Sequence, residues 1–109
     1  MPGTRILTRH PRGLKGVNID RARYDVVREA PLGALAGRGE ATFSELATEL
    51  RRTLGRTFTG SIPWYAVTVK LDLEARGLIG RVPRTAPQRL RLTAAGTRAA
   101  GGRSRRRRR

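Results

Sequence analysis

Residues 61–83, SIPWYAVTVKLDLEARGLIGRVP, decide the fold. Ser61 suits the free amides at a helix start, and Pro63 falls in the first turn, where its missing N–H costs nothing. The spacing predicts a helix over 61–76, ended by Gly77. At about 100° per residue, Ile62, Ala66, Val69 and Leu73 fall within about 60° of one another and form a core stripe. After Gly77 the period changes. Residues 78–82 read as a short strand, PRTAPQ as a turn held by two prolines, and Arg89-Leu90-Arg91-Leu92 alternates strictly. Alternation sends Leu90 and Leu92 to the core side and both arginines outward.

Upstream lie two more helical patterns. Thr42 and Glu45 have capping-box spacing, and Phe43, Leu46, Ala47, Leu50 and Leu54 follow at three- and four-residue steps. An earlier helix starts at Asp20, an N-cap residue, and carries Tyr24, Val27, Leu32 and Leu35. Pro31 removes a hydrogen bond there, so a kink or break is expected before Gly37. Before it, RILTRH and GVNID flank the turn-prone PRGLKG and predict a hairpin arm with Ile6, Leu7, Val17 and Ile19 as packing residues. Three helices and a ribbon give a mainly α fold with a small β component: a winged helix-turn-helix with an N-terminal β arm. Its parts are the arm at 1–19, the domain at 20–93 and a tail at 94–109. The tail, AAGTRAAGGRSRRRRR, has no hydrophobic period and repels itself, so it is expected to be disordered.

The chain of 109 residues suits one domain. Without cysteine it has neither disulfides nor thiolate metal ligands. No apolar run is long enough to span a membrane, and no signal-peptide h-region follows the N-terminal arginines, so a cytoplasmic location is expected. The net charge is +16. All eight acidic residues lie within 20–93, so both ends are purely cationic. That favours a polyanionic partner. Arginine outnumbers lysine 22 to 2, a skew that GC-rich coding also produces.

The outer face of the helix at 61–76 carries Trp64, Val67, Thr68 and Leu71, with Asp72 beside them. Base edges are patterns of donors and acceptors, and this face offers Thr68 and little else. Asp72 there would repel phosphates. Apolar residues on both sides of a helix imply cover on both sides, by the arm or by a second copy. Trp64, Val67 and Leu71 are therefore candidate partner-interface residues.

Catalytic chemistry finds no foothold. His10 is the sole histidine and precedes a proline in the arm. Asp72 and Glu74, two apart on a helix, diverge, while Ser44 and Ser61 serve helix starts. In GRTFTGS the spacing of a phosphate loop lacks its lysine and follows a helix where a strand is needed. No catalytic residue, metal, cofactor or small-molecule ligand is expected.

The chain resembles a family of small bacterial winged-helix-like proteins of unknown function. The matching pieces are His10-Pro11 with a following glycine, Val17-Asn18-Ile19-Asp20, Arg23-Tyr24, and Trp64-Tyr65. The longest runs from Thr68 through Val69-Lys70-Leu71-Asp72-Leu73-Glu74-Ala75-Arg76-Gly77, and Pro87 with Arg89-Leu90 completes the pattern. It covers about residues 5–92. Arg23 stands where that family usually has lysine, and Pro31 interrupts a helix that the family keeps continuous. The resemblance implies architecture and no activity.

The expected function is DNA binding without catalysis, mainly through phosphates. The candidate contacts are Arg81, Arg84, Arg89 and Arg91 on the ribbon, and Arg103, Arg105, Arg106, Arg107, Arg108 and Arg109 in the tail. Thr68 and Lys70 are the residues expected to approach the groove. A transcriptional role is the analogy such a fold invites. The alternative is a protein-interaction domain or homodimer using the apolar outer face.

Overall fold

The computed structural model describes residues 4–107 and, within the last helix, side chains only as far as Ala100. Strand β1 (Arg5–Leu7) pairs antiparallel with β2 (Asn18–Asp20), with Ile6 opposite Ile19. Helix α1 (Arg21–Arg38) follows, then β3 (Ala41–Thr42), α2 (Phe43–Leu54), α3 (Ile62–Ala75), β4 (Ile79–Arg81), β5 (Arg89–Leu92) and α4 (Ala94–Arg107). The second sheet is antiparallel with order β3-β5-β4. The fold is thus mixed α/β, with four helices and two small antiparallel sheets.

The helix starts follow from local chemistry. Arg23 N donates to Asp20 Oδ2 at 2.9 Å, and Trp64 N donates to Ser61 Oγ at 3.2 Å. At α2 both halves of the capping box form: Glu45 N donates to Thr42 Oγ1, and Thr42 N to Glu45 Oε1. The Thr42 amide bond is the main reason that the Glu45 carboxyl is held below its ordinary range.

One core joins the layers. Tyr24, Val27, Leu32 and Leu35 of α1 meet Leu46 and Leu50 of α2, Val69 and Leu73 of α3, and Ile79 and Leu90 of the sheet. Each large aliphatic chain buried there stabilises by roughly 1.5–3 kcal/mol. In the arm the inward face holds Ile6 and Ile19, whereas Leu7 and Val17 stay exposed. Those two are not packing residues, because the hairpin's pleat turns them away.

Three expectations need correction. Of the kink or break expected at Pro31, the break is absent, and α1 continues to Arg38. The proline ring borders an apolar gap of about 10 Å³ shared with Val27, Phe43, Leu46 and Val69. Packing on both sides of the proline keeps the helix continuous despite the lost hydrogen bond. Second, the ribbon has a third strand, β3, whose Ala41 is fully buried opposite Leu90.

Third, the chain from Ala94 forms helix α4 rather than a structureless tail. Thr93 starts it, its Oγ1 accepting from Gly96 N at 3.0 Å and its carbonyl from Thr97 N at 2.8 Å. Ala100 is buried in the core, and α4 packs on α1 and β5. A Cβ on Gly96 would lie 1.8 Å from the Leu78 carbonyl oxygen, so glycine permits the close approach.

Candidate nucleic-acid interface

The helix α3 presents three different environments. Its inner stripe of Ala66, Val69 and Leu73 is in the core. Its carboxyl-terminal half carries Asp72, expected on the outer side but fully buried. The arm is what covers it: Arg9 N donates to Asp72 Oδ1 at 2.8 Å, Arg76 Nε donates to Oδ2 at 2.8 Å, and the Tyr24 hydroxyl donates to Oδ2. One carboxylate therefore ties the arm, α1 and α3 together. No negative charge from Asp72 faces outward to repel a phosphate.

The partners respond to that arrangement. Burial, followed by the hydrogen bond and charge of Asp72, pushes the Tyr24 phenol up to about 12. Burial acts to lower the Arg76 guanidinium's pKa. The bond and charge of Asp72 outweigh it, and the net direction is upward.

The structure divides the proposed phosphate contacts. Glu74 takes up two of them: Lys70 Nζ lies 3.1 Å from Oε1, and Arg81 Nε donates to Oε2 at 3.1 Å. The Lys70 contact is within ion-pair range but off hydrogen-bonding geometry, since Oε1 accepts no hydrogen bond. Arg89 Nε donates to Glu40 Oε1 at 3.1 Å and is half-buried. Arg84 and Arg91 are exposed, with no carboxylate partner among the described residues. Arg84 stands in the connection between β4 and β5 at φ 61°, a left-handed conformation that costs a non-glycine residue energy.

Thr68 and Lys70 are not brought together. Thr68 faces the arm, whereas Lys70 borders the gap beside α2. Leu71 is half-buried, lining a pocket with the arm, but Trp64 and Val67 remain 45% and 46% exposed. The expected full cover of the outer face is therefore only partial within one chain. Arg103, Arg105, Arg106 and Arg107 fall within α4; Arg108 and Arg109 lie outside the described residues.

Sequence reasoning missed the pocket between the arm and α3. Arg9, His10 and Lys15 border it from the arm, and Thr68 and Leu71 from α3. The available signal was a run of cations with no acid between Thr4 and Ile19. Among the described residues, no group of three or more His, Cys, Asp or Glu side chains is placed to hold a metal, and no helix is long and apolar enough to cross a membrane.

The chain belongs to the DUF6958 family, a family of unknown function, whose profile it matches over residues 5–90. The matched span includes the arm, the Asp72 cluster and all of α3, and it stops before α4. No curated protein and no solved structure matches the chain significantly.

Proposed function

We propose that this family member is a non-enzymatic winged-helix module that binds nucleic acid through its phosphates. In this reading α1, α2 and α3 are the helical core, β4 and β5 are the wing, and β3 is the short strand that closes the sheet. The supporting observation is a pair of exposed cations, Arg84 and Arg91, on a ribbon whose other arginines are already neutralised. Cations without carboxylates nearby are the ones able to release counterions from a polyanion.

The experiment is a salt titration of duplex binding by the full chain. Each phosphate neutralised contributes about 0.9 to the slope of log K against log salt. Arg84→Gln with Arg91→Gln should lower that slope by about 1.8. The tail is better tested by replacing Arg103 and Arg105 through 109 with glutamine than by deletion, because deletion also removes Ala100 from the core. Absence of duplex binding by the unaltered chain at low salt overturns the proposal.

The half-exposed Trp64 and Val67 favour a second reading, a protein-interaction surface that in the simplest case pairs two copies. Sedimentation equilibrium separates it. A concentration-dependent dimer that Val67→Asp abolishes supports this reading, and a monomer at all concentrations removes the homodimer.

A further inference from the structure

We propose that the pocket between the arm loop and α3 is a phosphate-binding site, formed by Arg9, His10 and Lys15 on one side and Thr68 on the other. Four observations converge. The loop is held closed at its base, where Thr8 N donates to the Val17 carbonyl at 2.8 Å and Val17 N to Thr8 Oγ1 at 2.9 Å. A Cβ on Gly16 would lie 1.8 Å from the Thr8 carbonyl oxygen, so the two strands of the loop meet there without space between them. On the α3 side, Arg9 N is fixed to Asp72. The walls are therefore anchored at both ends.

The opening left between them mixes apolar surface from Val17 and Leu71 with the cationic residues Arg9 and Lys15, and with His10 and Thr68. It offers about 90 Å³ of space, where about 10–15 Å³ on the same measure holds one water, so a tetrahedral oxyanion fits. The side chains of Arg9 and Lys15 have no carboxylate partner among the described residues. Asp72, the acid bonded to the arm, is occupied by Tyr24, Arg76 and the Arg9 amide. Arg12 N donates to His10 Nδ1 at 3.2 Å, which leaves the neutral ring's proton on Nε2 as a donor. Among the described residues, no hydrogen bond occupies the Thr68 hydroxyl. A guanidinium, an ammonium, a ring N–H and a hydroxyl carried by residues that line one opening from two elements suit an anion with several acceptor oxygens.

The phosphate is assigned to a nucleic-acid backbone, because Thr68 and Leu71 place the pocket on the outer face of α3. That source rests on the nucleic-acid-binding reading; the pocket's affinity for phosphate does not. A free phosphate monoester offers the same oxygens, and the test separates the two.

The full chain is titrated with inorganic phosphate, and the carbon-bound ring protons of its single histidine are followed by NMR at fixed pH. Phosphate should shift them saturably and chloride at equal ionic strength should not. Arg9→Gln with Lys15→Gln should abolish the saturation. Both residues are exposed and neither side chain bonds to another of the described residues, so the variant is expected to stay folded, as circular dichroism would check. In duplex titrations the same double variant should lower the salt slope by about 0.9, one phosphate's share. Unmoved histidine signals overturn the site, even where duplex binding persists and the proposed function stands. A saturable phosphate shift without any duplex binding keeps the site, assigns it to free phosphate and overturns the proposed function.

Discussion

Asp72 accepts hydrogen bonds from the arm, from α1 and from its own helix, so its removal leaves three donors without an acceptor. Breaking a buried charge pair from one side costs about 3–5 kcal/mol. Asp72→Ala should therefore lose at least about 3 kcal/mol in urea unfolding. Tyr24→Phe loses a single bond to a charged group and should cost about 1.5–3 kcal/mol. The same tyrosine predicts an alkaline limit. Its folded pKa of about 12 exceeds the ordinary phenol value of 10.0, so the stability it contributes is complete below pH 10 and disappears as pH rises toward 12. The difference in stability between the unaltered chain and Tyr24→Phe should shrink over that window. Absorbance at 295 nm should show one tyrosine ionising near pH 12, absent from the variant. Arg84 carries the opposite kind of signature: a left-handed residue is cheaper as glycine. Arg84→Gly should raise stability by about 0.5–1 kcal/mol while weakening duplex binding. The sequence marked Tyr24 as a packing residue and Arg84 as a ribbon cation, and the four-residue spacing of Asp72 and Arg76 on one helix was a signal that went unread. The burial that makes that pair costly comes from an arm more than sixty residues away in the chain, which helical periodicity does not register.

Elements with strong local chemistry were legible, and those held by tertiary contact were not. The caps at Asp20, Thr42 and Ser61 and the inner stripe of α3 sit where their spacing places them, because each depends on neighbours within one or two turns. Of the kink or break expected at Pro31, the break does not occur, since burial of Val27, Leu32 and Leu35 on either side outweighs one missing hydrogen bond. Strand β3 is two residues long and merges with the α2 cap, too short for any alternation to register. Helix α4 reads as a polar tail because alanine and glycine, rather than large apolar groups, make its contact. Gly96 tests that contact. Gly96→Ala drives a methyl into the Leu78 carbonyl and should displace the start of α4, at a cost of about 1–3 kcal/mol. Faster amide exchange at Gly96-equivalent and Thr97 positions would accompany the loss of stability. An unchanged melting temperature would mean that α4 is not docked as described.

At the scale of the molecule, every one of the eight acidic residues is already engaged. Asp20 and Glu45 cap helices, Asp25, Glu29, Glu40 and Glu49 pair with arginines, and Asp72 and Glu74 hold the Tyr24, Arg76, Lys70 and Arg81 groups. The candidate DNA contacts could not be sorted from sequence for this reason: the partner that silences Arg89 lies 49 residues away. With the carboxylates engaged and a net charge of +16, the folded chain repels itself. Ion pairs at the surface weaken with salt, but self-repulsion is screened as well, and the two make opposite forecasts. Here repulsion should win, because surface pairs contribute about 0–1 kcal/mol each while the excess charge acts throughout the molecule. Melting temperature should rise as sodium chloride increases from low to physiological levels, by about 5 °C for about 1 kcal/mol of relieved repulsion. A fall over that range would show that the ion pairs dominate and that the cationic surface is less exposed than Arg84, Arg91 and the arm loop make it.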